Sequence, residues 1–291
     1  MNHFVWLVKR EFWENRAIWI VPAVIGGVLT LAALFGRVDI DYMPSPDHTR
    51  AIGGVVLFAF GFTFFAVMNL YSTWYLLDCL YADRKDRSIL FWKSLPISDT
   101  WTVLAKLFTG LIAIPVVYFL AADVTTLLIA FIASVRAHPT VGDSLWQPDL
   151  WAQLQALWLY LIVTTAIWYL PFTAYLMVIS AWARRAVVLW SLVPPLALCL
   201  LERWFFGTSR VGALLEHRAF GYLAAAFHRP VYADASNAVV SGARGFMTLD
   251  SVWRLLDPLE FVTRPATWIG VVVGSALILV AIQLRLRRTE I

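Results

Sequence analysis

Six stretches of this chain stay apolar for longer than an ordinary buried element, and that limits what it can fold into. They cover 17–36, 51–77, 104–135, 154–183, 187–206 and 265–284. Crossing about 30 Å of hydrocarbon takes about 20 apolar residues in a helix, and each run is long enough. Membrane-spanning β-strands are instead short segments that alternate apolar and polar residues, whereas these runs are continuous. Hydrophobic residues make up 60% of the chain and charged residues 14%, against about 25% charged in a soluble domain. With a mean hydropathy of +0.72, the 291 residues cannot hide that much apolar surface in one core. The sequence predicts an all-α integral membrane protein of six transmembrane helices. It is expected to be one domain over 1–291, without internal repeats or low-complexity linkers.

Basic residues in short loops set the orientation of such a bundle. With the N-terminus inside, Lys9, Arg10, Arg16, Arg84, Lys85, Arg87, Lys93, Lys106, Arg184, Arg185, Arg285, Arg287 and Arg288 share the inner side. That set contains every lysine, while the two short outer loops hold only Arg37, Arg50 and Arg136. Both termini are therefore expected in the cytoplasm, with the chain in the cell's inner (plasma) membrane. The net charge of +4 follows from this topology and calls for no nucleic-acid partner. Residues 1–16 read as an interfacial amphipathic helix: Phe4, Val8 and Phe12 repeat at helical spacing, while Lys9, Arg10, Glu11, Glu14 and Asn15 stay polar. The first run is too long for a signal-peptide core. Before the last run comes a long outer loop, 207–264, with two segments of mixed character suited to helices at the outer surface. The 15 tryptophans, many at run ends, suit interface anchors. Cys79 and Cys199 fall at different depths, so no disulfide framework is implied.

Several chemistries are excluded by motif. A phosphate-cradling P-loop needs glycine directly before lysine, but the lysines follow Val8, Arg84, Trp92 and Ala105. No histidine precedes glutamate, no serine sits in a G-x-S-x-G elbow, and there is no C-x-x-C. No cofactor or metal site is expected on this chain. One carboxylate, Asp123, lies within the third run, about 25 Å along it from Lys106. It can contact a substrate or gate a path, or hydrogen-bond to Thr125, Thr126 or another span. Pro115, Pro171 and the pair Pro194–Pro195 interrupt three runs, each removing a helix hydrogen bond and permitting a kink. Gly270 and Gly274 form a G-x-x-x-G pair for close helix approach, within the chain or between chains.

The connector at 78–103 is too long for a simple turn. Asp83, Arg84, Lys85, Asp86 and Arg87 form a mixed-charge knot, followed by Ser88, Ile89, Leu90, Phe91, Trp92, Leu95 and Pro96. This pattern predicts a short amphipathic helix that offers charges and aromatics to a cytoplasmic partner.

The stretch LYADRKDRSILFWKSLPISDTWTVLAK resembles the first cytoplasmic loop of the ATP-binding-cassette (ABC) type-2 permeases, the membrane subunits of ABC exporters. The matching features are the charges at Asp83–Arg87, the apolar Ile89–Trp92, then Leu95, Pro96, Ser98 and Lys106. The six runs, the N-terminal helix and the long loop before the last run fit as well. The resemblance implies a coupling helix that rests in a groove of a separate P-loop ATPase, by apolar anchors and flanking charges. Two ATPase copies would carry ATP and magnesium, and a second permease copy or a related chain would complete the assembly. The chain itself would then be no enzyme. Two other classes stay open: a membrane scaffold or regulatory protein that docks a partner without moving, and a membrane-embedded enzyme, for which only Asp123 is at hand. Aromatic richness suits a lipid, peptide or hydrophobic-drug substrate, and equally a surface that faces lipid.

Overall fold

The computed structural model describes residues 3–36, 46–86, 98–136, 145–227, 253 and 256–287, with the backbone alone for 46–52. About 91% is helical, and no strand forms among the described residues. Helix α1 (His3–Glu14) precedes α2 (Ala17–Phe35) and the 40-residue α3 (Pro46–Lys85). Then α4 (Asp99–Phe108) runs through a π-helical turn, Thr109–Ala113, into α5 (Ile114–Arg136). Helices α6 (Pro148–Trp168) and α7 (Leu170–Trp182) follow, then α8 (Val187–Phe206), α9 (Arg210–Phe220) and α10 (Tyr222–Ala226). The short α11 (Pro258–Thr263) leads into α12 (Pro265–Arg287). Six helices are long and apolar enough to cross a membrane, which makes this a multi-pass membrane protein: α2, α3 from Gly53, α4 through α5, α6, α8 and α12.

The prolines act differently from one another. The run 154–183, expected as one span, divides at Tyr169 (φ −88, ψ 6) into α6 and α7. Pro171, in the first turn of α7, has no N–H with which to continue the ladder. Ahead of Pro115 the ladder is re-satisfied by the π-helical turn, where each bond spans an extra residue. Pro194 and Pro195 lie inside an unbroken α8, and a further proline, Pro22, lies inside α2.

One packed cluster joins α2, α3, α5, α7 and α12 around Ile18, Phe64, Leu76, Tyr118, Met177 and Ala281. Another gathers Trp158, Trp168, Tyr222 and Phe261 and fastens α10 and α11 onto α6. The G-x-x-x-G pair on α12 is used inside the chain. A Cβ on Gly274 would lie 2.8 Å from Leu170 Cγ, and one on Gly270 would collide with Arg218 Nη2. Helix α8 is held chiefly at its ends. Near its start Val187 packs with Leu77, Ile179 and Ala183. Near its end Glu202 accepts hydrogen bonds from the Arg210 and Val211 N–H groups at 2.7 Å each, which anchors the start of α9. Between those points α8 stands off from the bundle, and most of its apolar side chains are exposed.

Candidate functional site

Two features stand out from the packing: an ionic cluster at one end of the bundle and a cavity beside α8. The cluster forms where α1, the end of α3, the start of α4 and the end of α12 meet. Lys106 Nζ lies 3.0 Å from Glu11 Oε1 and 3.2 Å from Asp83 Oδ1. Asp83 Oδ2 accepts from Arg285 Nη1 at 2.9 Å, and Arg285 Nε donates to Asp99 Oδ1 at 3.0 Å. Glu11 also accepts from the Tyr75 hydroxyl and from Arg10, both at 2.8 Å. Among the described residues Lys106, Arg285 and Arg10 face Glu11, Asp83 and Asp99, and Arg10 also pairs with the more exposed Glu14 at 3.3 Å. Ions of this kind are stable out of water only when paired and hydrogen-bonded. Burial alone would push the Glu11 carboxyl up. Lys106 and Arg10 beside it, with the Tyr75 hydroxyl, outweigh that and hold it below its ordinary value.

Beside the cluster, Arg84 Nη2 donates to the Ser180 and Ala183 carbonyls at 2.6 and 2.8 Å. It thereby caps the end of α7, whose last carbonyls have no helical partner. Ser180 Oγ accepts in turn from the Leu80 and Tyr81 N–H groups at 3.0 Å each, which locks α7 to α3.

These positions revise the charge knot. Asp83 and Arg84 are 5% and 4% exposed and serve the bundle's own packing, because α3 continues through Lys85 and turns both inward. Lys85 and Asp86 remain exposed, as a partner surface would require. Arg87, Ser88, Phe91, Trp92, Leu95 and Pro96 lie outside the described residues, and the expected coupling helix with them. Helix α1 is also turned relative to expectation. Its buried residues are Leu7, Arg10 and Glu11, while Trp6 and Trp13 are exposed with Lys9 over both rings at 5.0 Å. Of the polar residues expected to face water, Lys9 and Glu14 are exposed, while Arg10 and Glu11 face the cluster, where Glu11 meets the buried Lys106. Sequence reasoning missed Tyr75, Asp99 and Arg285 as members. An acid or base at the very end of several apolar runs was the one signal for them.

The cavity has a volume of about 1240 Å³, above the roughly 300–1,000 Å³ of ordinary ligand pockets. Its walls come from α3, the π-helical turn, α6, α7, α8 and α9, and Pro115, Pro171, Pro194 and Pro195 all line it. Proline positions that read as separate kinks thus converge on one space. The lining is mostly apolar, with Asn69, Ser72, Thr73 and Arg218 among its polar points. Ser72 Oγ, and Arg218 Nε and Nη2, are buried there without a hydrogen-bond partner among the described residues. Arg218 was not picked out from the sequence.

Asp123 lies outside this cavity. Its Oδ1 accepts from Gln155 Nε2 on α6 at 2.6 Å, a bond to another span. Among the described residues, no group of three or more His, Cys, Asp or Glu could hold a metal ion. No family model, curated protein or solved structure matches this chain.

Proposed function

We propose that this chain is the membrane subunit of an exporter driven by a separate ATPase, in the manner of the ABC type-2 permeases its connector resembles. The observation that carries the reading is the Arg285 bracket. One buried guanidinium bonds Asp83, just before the segment 87–97, and Asp99, just after it. A load on that segment is therefore delivered to both flanks and to α12 together, and through Lys106 to α1. A connector that only bridged two spans would need no such anchorage.

In this reading two ATPase copies bind ATP and magnesium and close on each other in the cytoplasm. The segment rests in a groove of the ATPase and moves with it. Asp83 and Asp99 carry the displacement into α3 and α4, which continues through the π-helical turn that lines the cavity. The proline-interrupted walls let the cavity change shape without breaking the outer helix contacts. A second permease copy completes a two-fold assembly. The cavity favours a transporter over a scaffold, since docking alone would not need it.

Phe91→Ala and Trp92→Ala test the reading by co-purification of the ATPase, with transport and permease stability measured in parallel. Losing a buried aromatic anchor costs about 2 kcal/mol or more, or roughly thirtyfold in ATPase affinity, with the permease still folded. Arg87→Glu should give a smaller loss that depends on salt. Arg84→Glu should instead destabilise the bundle, since its partners are the α7 carbonyls. Full ATPase binding and transport by both aromatic variants would refute the docking role.

A further inference from the structure

The cavity beside α8 combines two properties that select a ligand. Most of its wall is hydrocarbon, contributed by residues such as Phe65, Leu111, Phe172 and Leu196. One wall residue, Arg218, carries a full positive charge whose hydrogen bonding is incomplete. Its Nη1 donates to the Ala266 carbonyl at 2.9 Å, and its guanidinium lies 4.4 Å from the centre of the Trp168 ring. Together these fix the plane of the group, and the gap at Gly270 admits it against α12. Nε and Nη2 remain buried with no acceptor among the described residues. Leaving a buried charged donor unsatisfied is costly, and a guanidinium edge of two N–H groups matches the paired oxygens of a phosphate. The nearby carboxylate on the lining, Glu216, is exposed and makes no ion pair with Arg218 among the described residues.

Depth agrees with this chemistry. Arg218 sits on α9, beyond the far end of α8 and beside the start of α12, so it lies at the end of the bundle away from the ionic cluster. The apolar wall extends from there along the membrane-spanning helices. We propose that the cavity binds an anionic glycerophospholipid, its phosphate on the Nε and Nη2 edge of Arg218 and its acyl chains along α3, α7 and α8. A zwitterionic lipid offers the same chains, but its ammonium would share the space around the arginine. A free phosphate offers the anion but leaves the apolar wall wet. This site does not depend on the exporter reading, since it needs neither an ATPase nor a second chain.

The test uses the purified full chain alone in neutral detergent, titrated with palmitoyl-oleoyl phosphatidylglycerol and with phosphatidylcholine of the same chains. Bound lipid is counted by native mass spectrometry. One phosphatidylglycerol per chain is expected to be retained at least about tenfold more tightly than phosphatidylcholine. Inorganic phosphate in millimolar excess should not displace it. Arg218→Gln should remove the preference between headgroups. Gly212→Leu, where a Cβ meets nothing within 4 Å on the cavity wall, should weaken binding of both lipids while keeping the preference. It fills empty space and leaves Arg218 intact, so it remains informative if Arg218→Gln fails to fold. Equal retention of the two lipids by the natural chain overturns the proposal. So does displacement by inorganic phosphate, or binding that Gly212→Leu leaves unchanged.

Discussion

Replacing Lys106 by methionine keeps the length and apolar stem of the side chain and deletes one charge from the centre of the ionic cluster. The lysine side chain is 3% exposed, and its partners Glu11 and Asp83 are 1% and 6% exposed, so water cannot take its place. Breaking a buried pair from one side costs about 3–5 kcal/mol. Glu11 keeps Arg10 and Tyr75, and Asp83 keeps Arg285, which puts the expected loss near the lower bound. A loss of about 3 kcal/mol is somewhat more than a hundredfold in the unfolding equilibrium. Denaturant unfolding in one fixed detergent, followed by tryptophan fluorescence, measures it. The double variant with Glu11→Gln should lose less than the sum of the single variants, by about 1–3 kcal/mol. That deficit should persist at high salt, because buried pairs are screened little. A loss below about 1 kcal/mol, as for a solvated surface pair, would refute the reasoning. Additivity of the two substitutions would do the same.

The pH dependence follows from Glu11, whose folded-state acidity is strengthened relative to its ordinary value of 4.5. Its contribution is therefore fully present above that value and is lost as pH falls through the lower folded value. Acid unfolding should be shallower in Glu11→Gln than in the natural chain, and identical acid profiles would count against the cluster. Topology is checked by cysteine substitution: positions at Asp86, Ala186 and Thr289 should label only from the cytoplasm, and those at Asp47, Ser144 and Asn237 only from outside. A single inverted position would break the six-span arrangement.

The six spans were legible because an unbroken apolar run of about twenty residues suits the bilayer and little else. The role of the charges at the span ends was not, because sequence gives a charge its place along the helix but not its partner. Asp83 and Arg84 stand beside Lys85 and Asp86 in one run, yet the first two are buried and the last two exposed. Only the rotation of α3, fixed by its packing on α7 and α5, separates them. Two residues of α1, Arg10 and Glu11, depart from expectation for a related reason. Leu7, Arg10 and Glu11 share one face at i, i+3 and i+4, and a face containing ions is ordinarily assigned to water. Asp123 and Gln155 were each visible as polar residues inside apolar runs, and pairing them required knowing that α5 and α6 are neighbours. Pro115 and Pro171 do mark departures from regular helix, whereas α8 runs on through Pro194 and Pro195. The convergence of all four on one cavity is a property of the assembled bundle, as is the use of Gly270 by Arg218.

The Arg285 bracket also sets an order of assembly. Asp83 and its partner are 202 residues apart in the chain, and Glu11 and Lys106 are 95 apart. At about 5–20 residues synthesised per second, Asp83 waits about 10–40 s for its second cation, Arg285, after Lys106 is already in place. During that interval Lys106 already pairs with Asp83 and Glu11, but the guanidinium that ties the end of α3 to the start of α4 is missing. The last helix to be made is therefore the one that closes the basic end of the bundle. A chain truncated before it lacks the one guanidinium that joins Asp83 to Asp99, so the two flanks of the connector are not tied together through α12.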